Sequence, residues 1–546
     1  MTKRTVAKII DYTIISFLIF AVLFFILFPF LAVFKEAFFN SDGFSIDLLT
    51  SIFKSNTKTI LNTLKMGLST SILSSIVSFC TACALYLSNR KIKKIWLLIL
   101  SITLISPPFV TSLSFINLFG RRGLVTYHLL KLKLNPYGMW GIVMMQVISD
   151  ISLNTLMIYS FLKNIDQDII NSARNLGANT NNIIKDHLLA ASIPGIKAVL
   201  LLSFFRSIAD FGTPAIIGGN FNVLALESYF AVIAEGNLSK AAAINILLII
   251  PSLIIFVIYG KQLNTISTSQ GFESESEIPI KKKGWLYYLI LSIAGFFTIA
   301  LIILYSQIFL SSITKMYKGN IYFTLDNIIE TKPYITGTAI RSIIYSLISA
   351  ITGSIMGLMI GYYLKKRKLK AMKYIEFFSN LPYIIPGTFF GLGYLLFFKH
   401  PPLVLTGTAL IVVLNVTFKQ LPFSTRMGVS AMDNISSDTL NSIRDLGGAR
   451  IDEIKDAIIP LSKDSLSVSF INAFTTTMTT IGSIIFLIYP SQKVLTLVMF
   501  DVIQSGKYNI GSVIAVFIIV ICLVVNISFN LYLNRRKNVF RSKEFK

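Results

Sequence analysis

Few side chains in this sequence could do chemistry. Asp150, Arg206, Asp210, Lys419 and Arg426 fall in or beside long apolar runs. A charge at the centre of a membrane helix costs about 2.5–3.5 kcal/mol, so each is expected to face the protein interior or water. Arg206 and Asp210 are four residues apart, a spacing that allows an ion pair on one helix face. Such a pair is either structural or part of a gate. The FGTP and Gly218-Gly219 that follow should unwind the helix, making Arg206 to Pro214 a candidate outer gate. Other chemistries have less support. His128, His187 and His400 show no metal-ligand spacing and are expected in loops. Cys80 and Cys83 form a CxxC, but inside an apolar run, where small residues serve helix packing. No GxxxxGK[ST] occurs, so energy from ATP would have to come from another chain. No tight metal site, bound cofactor or catalytic constellation is expected.

A second kind of signal is repetition. NSARNLGANTNNIIKDHLLAASIP, from Asn171 to Pro194, recurs as NSIRDLGGARIDEIKDAIIP, from Asn441 to Pro460. At an offset of 270, Asn171, Arg174 and Gly177 meet Asn441, Arg444 and Gly447. Ile165, Ile169, Ile170, Ala173 and Leu176 recur at helical spacing and predict one apolar stripe. Gly177 and Gly447 should end each helix in a left-handed turn. Asn179 or Thr180 in the first copy can cap the next helix, and Ser436 or Ser437 can cap the second polar helix. The expected device is a short polar helix, a glycine bend and a helix that re-enters the membrane near Pro194 or Pro460.

The elements that position these residues are membrane spans. The chain has 546 residues, mean hydropathy +0.69 and 54% hydrophobic residues, too apolar for a soluble protein of this length. About 20 apolar residues cross the hydrocarbon core. This reading gives an all-α polytopic membrane protein with twelve spans: about 10–34, 59–87, 95–119, 138–162, 189–210, 240–260, 285–310, 337–363, 374–398, 403–430, 464–489 and 509–533. The net charge of +24 gathers in alternate loops, as in cytoplasmic loops, and does not call for nucleic acid. Both termini are then cytoplasmic. Arg121, Arg122, Lys131 and Lys133 fall on the other side, where an amphipathic surface segment would accommodate them. The first apolar run is too long for a signal-peptide core and reads as an uncleaved span.

A polar stretch at 261–284 separates a first half, 1–260, from a second, 285–546. Further matches support duplication: span two resembles span eight, Pro107 matches Pro382, and Phe204 and Gly212 match Phe474 and Gly482. Asp210 meets Thr480, so any role there is asymmetric. Six spans per half make the two repeats parallel, with a pathway expected along the pseudo-two-fold axis. Gly212, Thr480 and Gly482 join Arg206 and Asp210 as candidate gate or pathway residues.

The repeated segments resemble the EAA motif of ABC importer permeases, EAA-x3-G followed by an apolar helix and a proline. Gly177 and Gly447 fall on its glycine, and Ala178 on the next alanine, where Gly448 departs from it. Asn171 and Asn441 replace the usual glutamate. RSIADFGTPAIIGG (Arg206–Gly219) and FTTTMTTIGSIIFLIYP (Phe474–Pro490) look most like fused ferric-iron permeases. Phosphonate, sulfate, thiamine and polyamine permeases share much of this architecture. The resemblance implies that Asn171, Ala173, Arg174, Gly177 and Ala178, with Asn441, Arg444, Gly447 and Gly448, form two ATPase-coupling helices. It also implies two copies of a cytoplasmic ATPase that binds ATP and Mg, an extracytoplasmic substrate-binding protein, and a bacterial cytoplasmic membrane. A secondary transporter is the alternative class. It needs no paired docking helices and usually shows membrane-buried carboxylates, which are sparse here.

Overall fold

A computed structural model describes residues 3–40, 43–107, 109–131, 135–263, 284–317, 320–401 and 403–544. The stretch expected as a linker, 261–284, lies almost wholly outside these residues. The described chain is nearly all helix. The first half contains α1 (Thr5–Phe38), α2 (Thr57–Leu87), α3 (Arg90–Leu104), α4 (Phe109–Phe119), α5 (Met139–Lys163), α6 (Gln167–Asn175), α7 (Thr180–Ala209), α8 (Gly212–Ile217), α9 (Leu224–Ile233) and α10 (Leu238–Leu263). The second contains α11 (Trp285–Ser312), α12 (Thr338–Lys365), α13 (Lys370–Asn380), α14 (Gly387–Phe398), α15 (Ala409–Asp433), α16 (Ser437–Asp445), α17 (Lys463–Thr479), α18 (Leu495–Gln504) and α19 (Tyr508–Glu544).

The duplication is visible in three dimensions. After α1 comes a two-stranded hairpin pairing Phe39 with Phe44, then a short helix, Asp47–Ser55. After α11 comes the same sequence of elements, pairing Thr314 with Phe323, then Asp326–Ile335. The expected third and ninth spans are each bent. The chain turns by 101° between α3 and the segment from α4 to Leu129, and by 114° between α13 and α14. Pro107 and Pro382 lie at these breaks, where proline removes a backbone donor. The expected eleventh span ends early, at Thr479. Among the described residues seven helices are long and apolar enough to cross a membrane, nine if each bent pair counts once. α15 is 25 residues long but is diluted by Lys419 and Arg426.

Each half lends its first helix to the other. Phe24 and Phe25 of α1 pack on Phe398 of α14 and Phe418 of α15, at 5.9 and 4.9 Å between ring centres. α11 lies on α2 and α4, where Ser114 Oγ donates to Leu304 O at 2.6 Å. Within the second half α12 and α15 meet backbone to backbone: a Cβ on Gly357 would sit 2.3 Å from Ser424 C, and one on Gly428 2.1 Å from Gly357 O. This is the small-residue packing that replaces hydrophobic driving force in a membrane. Cys80 and Cys83 are buried free thiols in the equivalent packing of α2. The largest apolar core draws residues from both halves, joining Phe204 and Phe211 to Phe474 and Phe500.

Candidate functional site

The two repeated segments fold alike, down to their terminal hydrogen bonds. Asp166 caps α6 by accepting from Asp168 N at 3.0 Å, and Ser436 caps α16 by accepting from Thr439 N at 3.2 Å. Asp168 and Asp438 lie in the first turns, where the helix dipole favours negative charge. Each helix ends in a paired C-cap. Gly177 N donates to Arg174 O at 2.9 Å and Ala178 N to Ala173 O at 3.0 Å. Gly447 N donates to Arg444 O and Gly448 N to Ile443 O, both at 2.9 Å. Gly177 has φ +90° and Gly447 +82°, the left-handed turn that glycine enters freely. Asn179 then caps the next helix through Asn182 N, at 3.0 Å.

Gly448 also acquires a reason. A methyl there would lie 2.7 Å from Ile443 Cγ2, whereas the first copy carries the small pair Ala173 and Ala178. The larger residue at 443 and the missing side chain at 448 compensate. A short π-helical turn follows each bend, at Ile183–Leu188 and Glu453–Ile458. His187 belongs to the first of these and His128 to another, Leu124–Leu129, so neither is in a loop as expected; His400 lies in the loop after α14, one residue past its C-cap Lys399.

The expected apolar stripe divides into two faces. Ile170 and Leu440 are buried against the bundle. Leu176 and Leu446 point away, 90% and 88% exposed, and Ile169 is also exposed. A leucine so exposed at the same place in both copies is a ready contact for a partner. Asn171 and Asn441 are also exposed, and Asn441 Oδ1 lies 3.5 Å from Arg444 NH1.

Both segments lie at one end of the bundle. α11 begins at the first, where Leu286 N donates to Asn181 Oδ1 at 3.2 Å, and reaches the opposite end, where Ser311 meets Asn509 at 3.2 Å. α19 returns from Asn509 and stacks Phe529 on Phe470, 4.5 Å apart, beneath the second segment.

Their anchoring differs. Arg444 bonds the buried carboxylate of Glu453 at 2.6 and 3.2 Å, and Tyr362 donates to the same carboxylate at 2.9 Å. The Glu453 hydrogen bond raises Arg444 above its ordinary value. In the first copy residue 183 is isoleucine, and burial lowers the equivalent Arg174 instead. There Gln167 Nε2 donates to Tyr86 Oη at 3.1 Å.

A second polar cluster lies between α5, α7 and α8. The anticipated Arg206–Asp210 pair does not form. Arg206 reaches 56 residues back to Asp150, at 3.1 Å. Asp210 has left the helix: its extended backbone turns the carboxylate onto the start of α8, accepting from Gly212 N at 3.0 Å and Thr213 N at 3.1 Å. Its other oxygen accepts from Gln146 Nε2 at 3.0 Å. The break expected after Arg206 is therefore present, and Asp210 stabilises the new helix start. In the second half Lys419 donates to Pro382 O at 2.6 Å and Ile385 O at 2.7 Å, carbonyls at the α13–α14 break. Arg426 lies over the Tyr383 ring, 4.7 Å from its centre.

The halves meet at one of the two glycines: a Cβ on Gly482 would meet Phe211 of the other half at 3.8 Å, whereas one on Gly212 would collide with Phe109 of its own half at 2.0 Å. Thr480 takes the extended position of Asp210, and its carbonyl accepts from Thr496 Oγ1 at 2.9 Å. Around this point lies a set of rings that sequence reasoning missed. Phe500 contacts Phe109 at 5.3 Å and Phe211 at 5.9 Å, and Phe486 stacks on Tyr229 at 6.4 Å. The rings close the boundary between halves near α18, toward the end away from the polar segments. With 43 phenylalanines in the chain, composition gives no way to single these out. Among the described residues no three His, Cys, Asp or Glu side chains are grouped to hold a metal ion.

Two parallel bundles, each with a bent cap on an exposed polar helix at a shared end, define a membrane permease built by duplication. The chain belongs to the family described as binding-protein-dependent transport system inner membrane component, the permeases of ABC importers, which matches residues 74–265 and again 353–538. It is similar to the ferric transport system permease protein FbpB of Actinobacillus pleuropneumoniae, 26% identical over 530 residues, covering 94% of this chain and 77% of that protein. The putative ferric transport system permease protein FbpB 1 of Haemophilus influenzae is 27% identical over 500 residues, 87% of this chain and 78% of its own. The spermidine/putrescine transport system permease protein PotC of the same organism is 25% identical over 219 residues, 40% of this chain and 80% of its own.

Proposed function

We propose that this chain is the complete translocation pathway of an ATP-driven importer whose substrate is ferric iron. The observation that carries the reading is the duplicated bend, with Leu176 and Leu446 presented at one end of the bundle. Each polar helix docks on one of two ATPase subunits, which bind ATP and Mg; this chain carries no phosphate-binding loop of its own. Residues 1–260 and 285–546 act as the two halves. The polar segments and both termini lie on the cytoplasmic side, and a binding protein delivers substrate at the opposite face. ATP closes the ATPase dimer, draws the polar helices together and opens the ring-lined boundary around Phe211 and Phe500. Arg206, Asp210, Gly212, Thr480 and Gly482 lie at or beside that boundary. The iron assignment is supported by the FbpB relatives, ferric transport permeases that align with most of the chain. The test is uptake into vesicles containing permease, ATPase and binding protein. ATP-dependent iron accumulation is expected. Accumulation of phosphonate, sulfate or a polyamine without iron would reject the substrate, and ion-gradient-driven uptake without ATPase would reject the importer.

A further inference from the structure

Asp11 is one of two acidic residues in α1, the other being Glu36 at its far end, and it is 5% exposed. It does not serve its own half. Its carboxylate accepts from Tyr363 Oη at 3.0 Å, from Arg367 NH1 at 3.2 and 3.0 Å, and from Arg450 NH1 at 3.3 Å. Tyr363 lies in the last turn of α12 and Arg367 just beyond it, and Arg450 opens the helix that follows the glycine bend after the second polar helix. The neighbouring Tyr362 holds Glu453, which holds Arg444 of that helix. Lys365 pairs with Asp433 at 3.1 Å, and Lys366 donates to Ile435 O. The second polar helix is thus tied by two buried carboxylates to α12 and to the first helix of the other half.

The first polar helix has a different tie. Its reciprocal partner, α11, contains no acidic residue, and Thr180 and Ile183 stand where Arg450 and Glu453 do. Among the described residues, α11 meets this segment through the neutral bond from Leu286 N to Asn181 Oδ1, among other contacts. These two connections differ in kind. A carboxylate buried among guanidinium and phenol donors cannot be parted from them without leaving an uncompensated charge. A neutral hydrogen bond to a half-buried amide leaves no uncompensated charge when it parts and costs far less. We infer that Asp11 and Glu453 form an ionic latch that makes the two polar helices mechanically unequal. Movement of the second is delivered to α12 and, through α1, to the first half as one body. Movement of the first reaches α11 through a yielding contact. Asp11 is a positioning residue, and the inference rests on the coupling role given to these helices above.

The test measures iron taken up per ATP hydrolysed, in vesicles with permease, ATPase and ferric-loaded binding protein. Asp11→Asn keeps the shape and removes the charge. It should lower the ratio by about fivefold or more while hydrolysis stays within about twofold, since the latch transmits motion without touching nucleotide. Asp11→Glu should restore much of the ratio. Asn181→Ala should leave it within about twofold of wild type. Arg450→Gln, at a half-exposed side chain, should lower the ratio in the same direction and decides the matter if Asp11→Asn does not assemble. An unchanged ratio in the latch variants would overturn the inference, as would uptake and hydrolysis falling in step, or Asn181→Ala acting as strongly as Asp11→Asn. Absence of ATP-dependent uptake by the wild type would instead overturn the functional reading itself.

Discussion

The glycine bends give the sharpest test of the docking argument, because the structure isolates one physical cause. A Cβ added at Gly177 or Gly447 meets nothing within 4 Å, so substitution introduces no clash. What remains is the backbone, at φ +90° and +82°. The left-handed conformation costs an L-residue about 1–2 kcal/mol. If the ATPase binds only the bent form, each alanine weakens docking by that amount, about 5- to 30-fold at 1.4 kcal/mol per decade. Valine at either site should weaken it further, because a β-branched residue resists this region more strongly. Asparagine tolerates it and should stay near glycine. The assay is titration of purified ATPase onto permease in lipid nanodiscs, for the series Gly, Asn, Ala, Val at each site and at both. Thermal unfolding of the same samples shows whether the bundle is intact. The ordering is the prediction. Valine variants that are folded and dock like wild type, or asparagine variants as weak as valine, would refute the claim that the bend presents the helix.

Three further outcomes are expected. Gly448→Ala should lose about 1–3 kcal/mol to overpacking against the Ile443 side chain and carbonyl, measured as a drop in Tm, and Ile443→Ala should rescue part of it by removing the side-chain contact, as in the Ala173–Ala178 pair; no rescue would sink the compensation. Phe500→Ala, at the ring cluster between the halves, should allow leakage of a small fluorescent solute from vesicles without ATP, whereas a tight vesicle would place the seal elsewhere. Cysteines introduced at Ser437, and at Ser274 beyond the described residues, should be labelled only from the cytoplasmic side and one at Asn220 only from outside; external labelling of Ser437 would reverse the assigned orientation.

How much of this was legible in the sequence depends on how far apart the interacting residues lie. The caps at Asn179 and Ser436 and the turns at Gly177 and Gly447 are settled within a few residues, so local chemistry is enough to place them. Arg206 has two acidic candidates, one four positions away and one 56, and only packing of α5 on α7 selects Asp150. The helix ends at Ala209, which removes Asp210 from the face that the spacing assumed. Hydropathy sums apolar residues without regard to direction, so α13 and α14 read as one span despite the turn of 114° between them. Their prolines carried the missing signal. Likewise, periodicity found the apolar stripe but could not separate Ile170, which faces the bundle, from Leu176, which faces away. Asp11 was not singled out from the sequence, because its partners lie more than 350 positions away.

The π turns after the two bends bear on the ancestry of the chain. Each places an extra residue in the helical winding at the same register, Ile183–Leu188 and Glu453–Ile458, offset by 270. An insertion shared at one position by both copies is most simply inherited, so the surplus residue was already in the single-half ancestor before the gene doubled. Asp11, Glu453 and Lys419 have no like residue at the matching places in the other copy, so the two halves are no longer equivalent. Fusion permits this division of labour: once two formerly identical subunits are joined, each can specialise without the change being imposed on both.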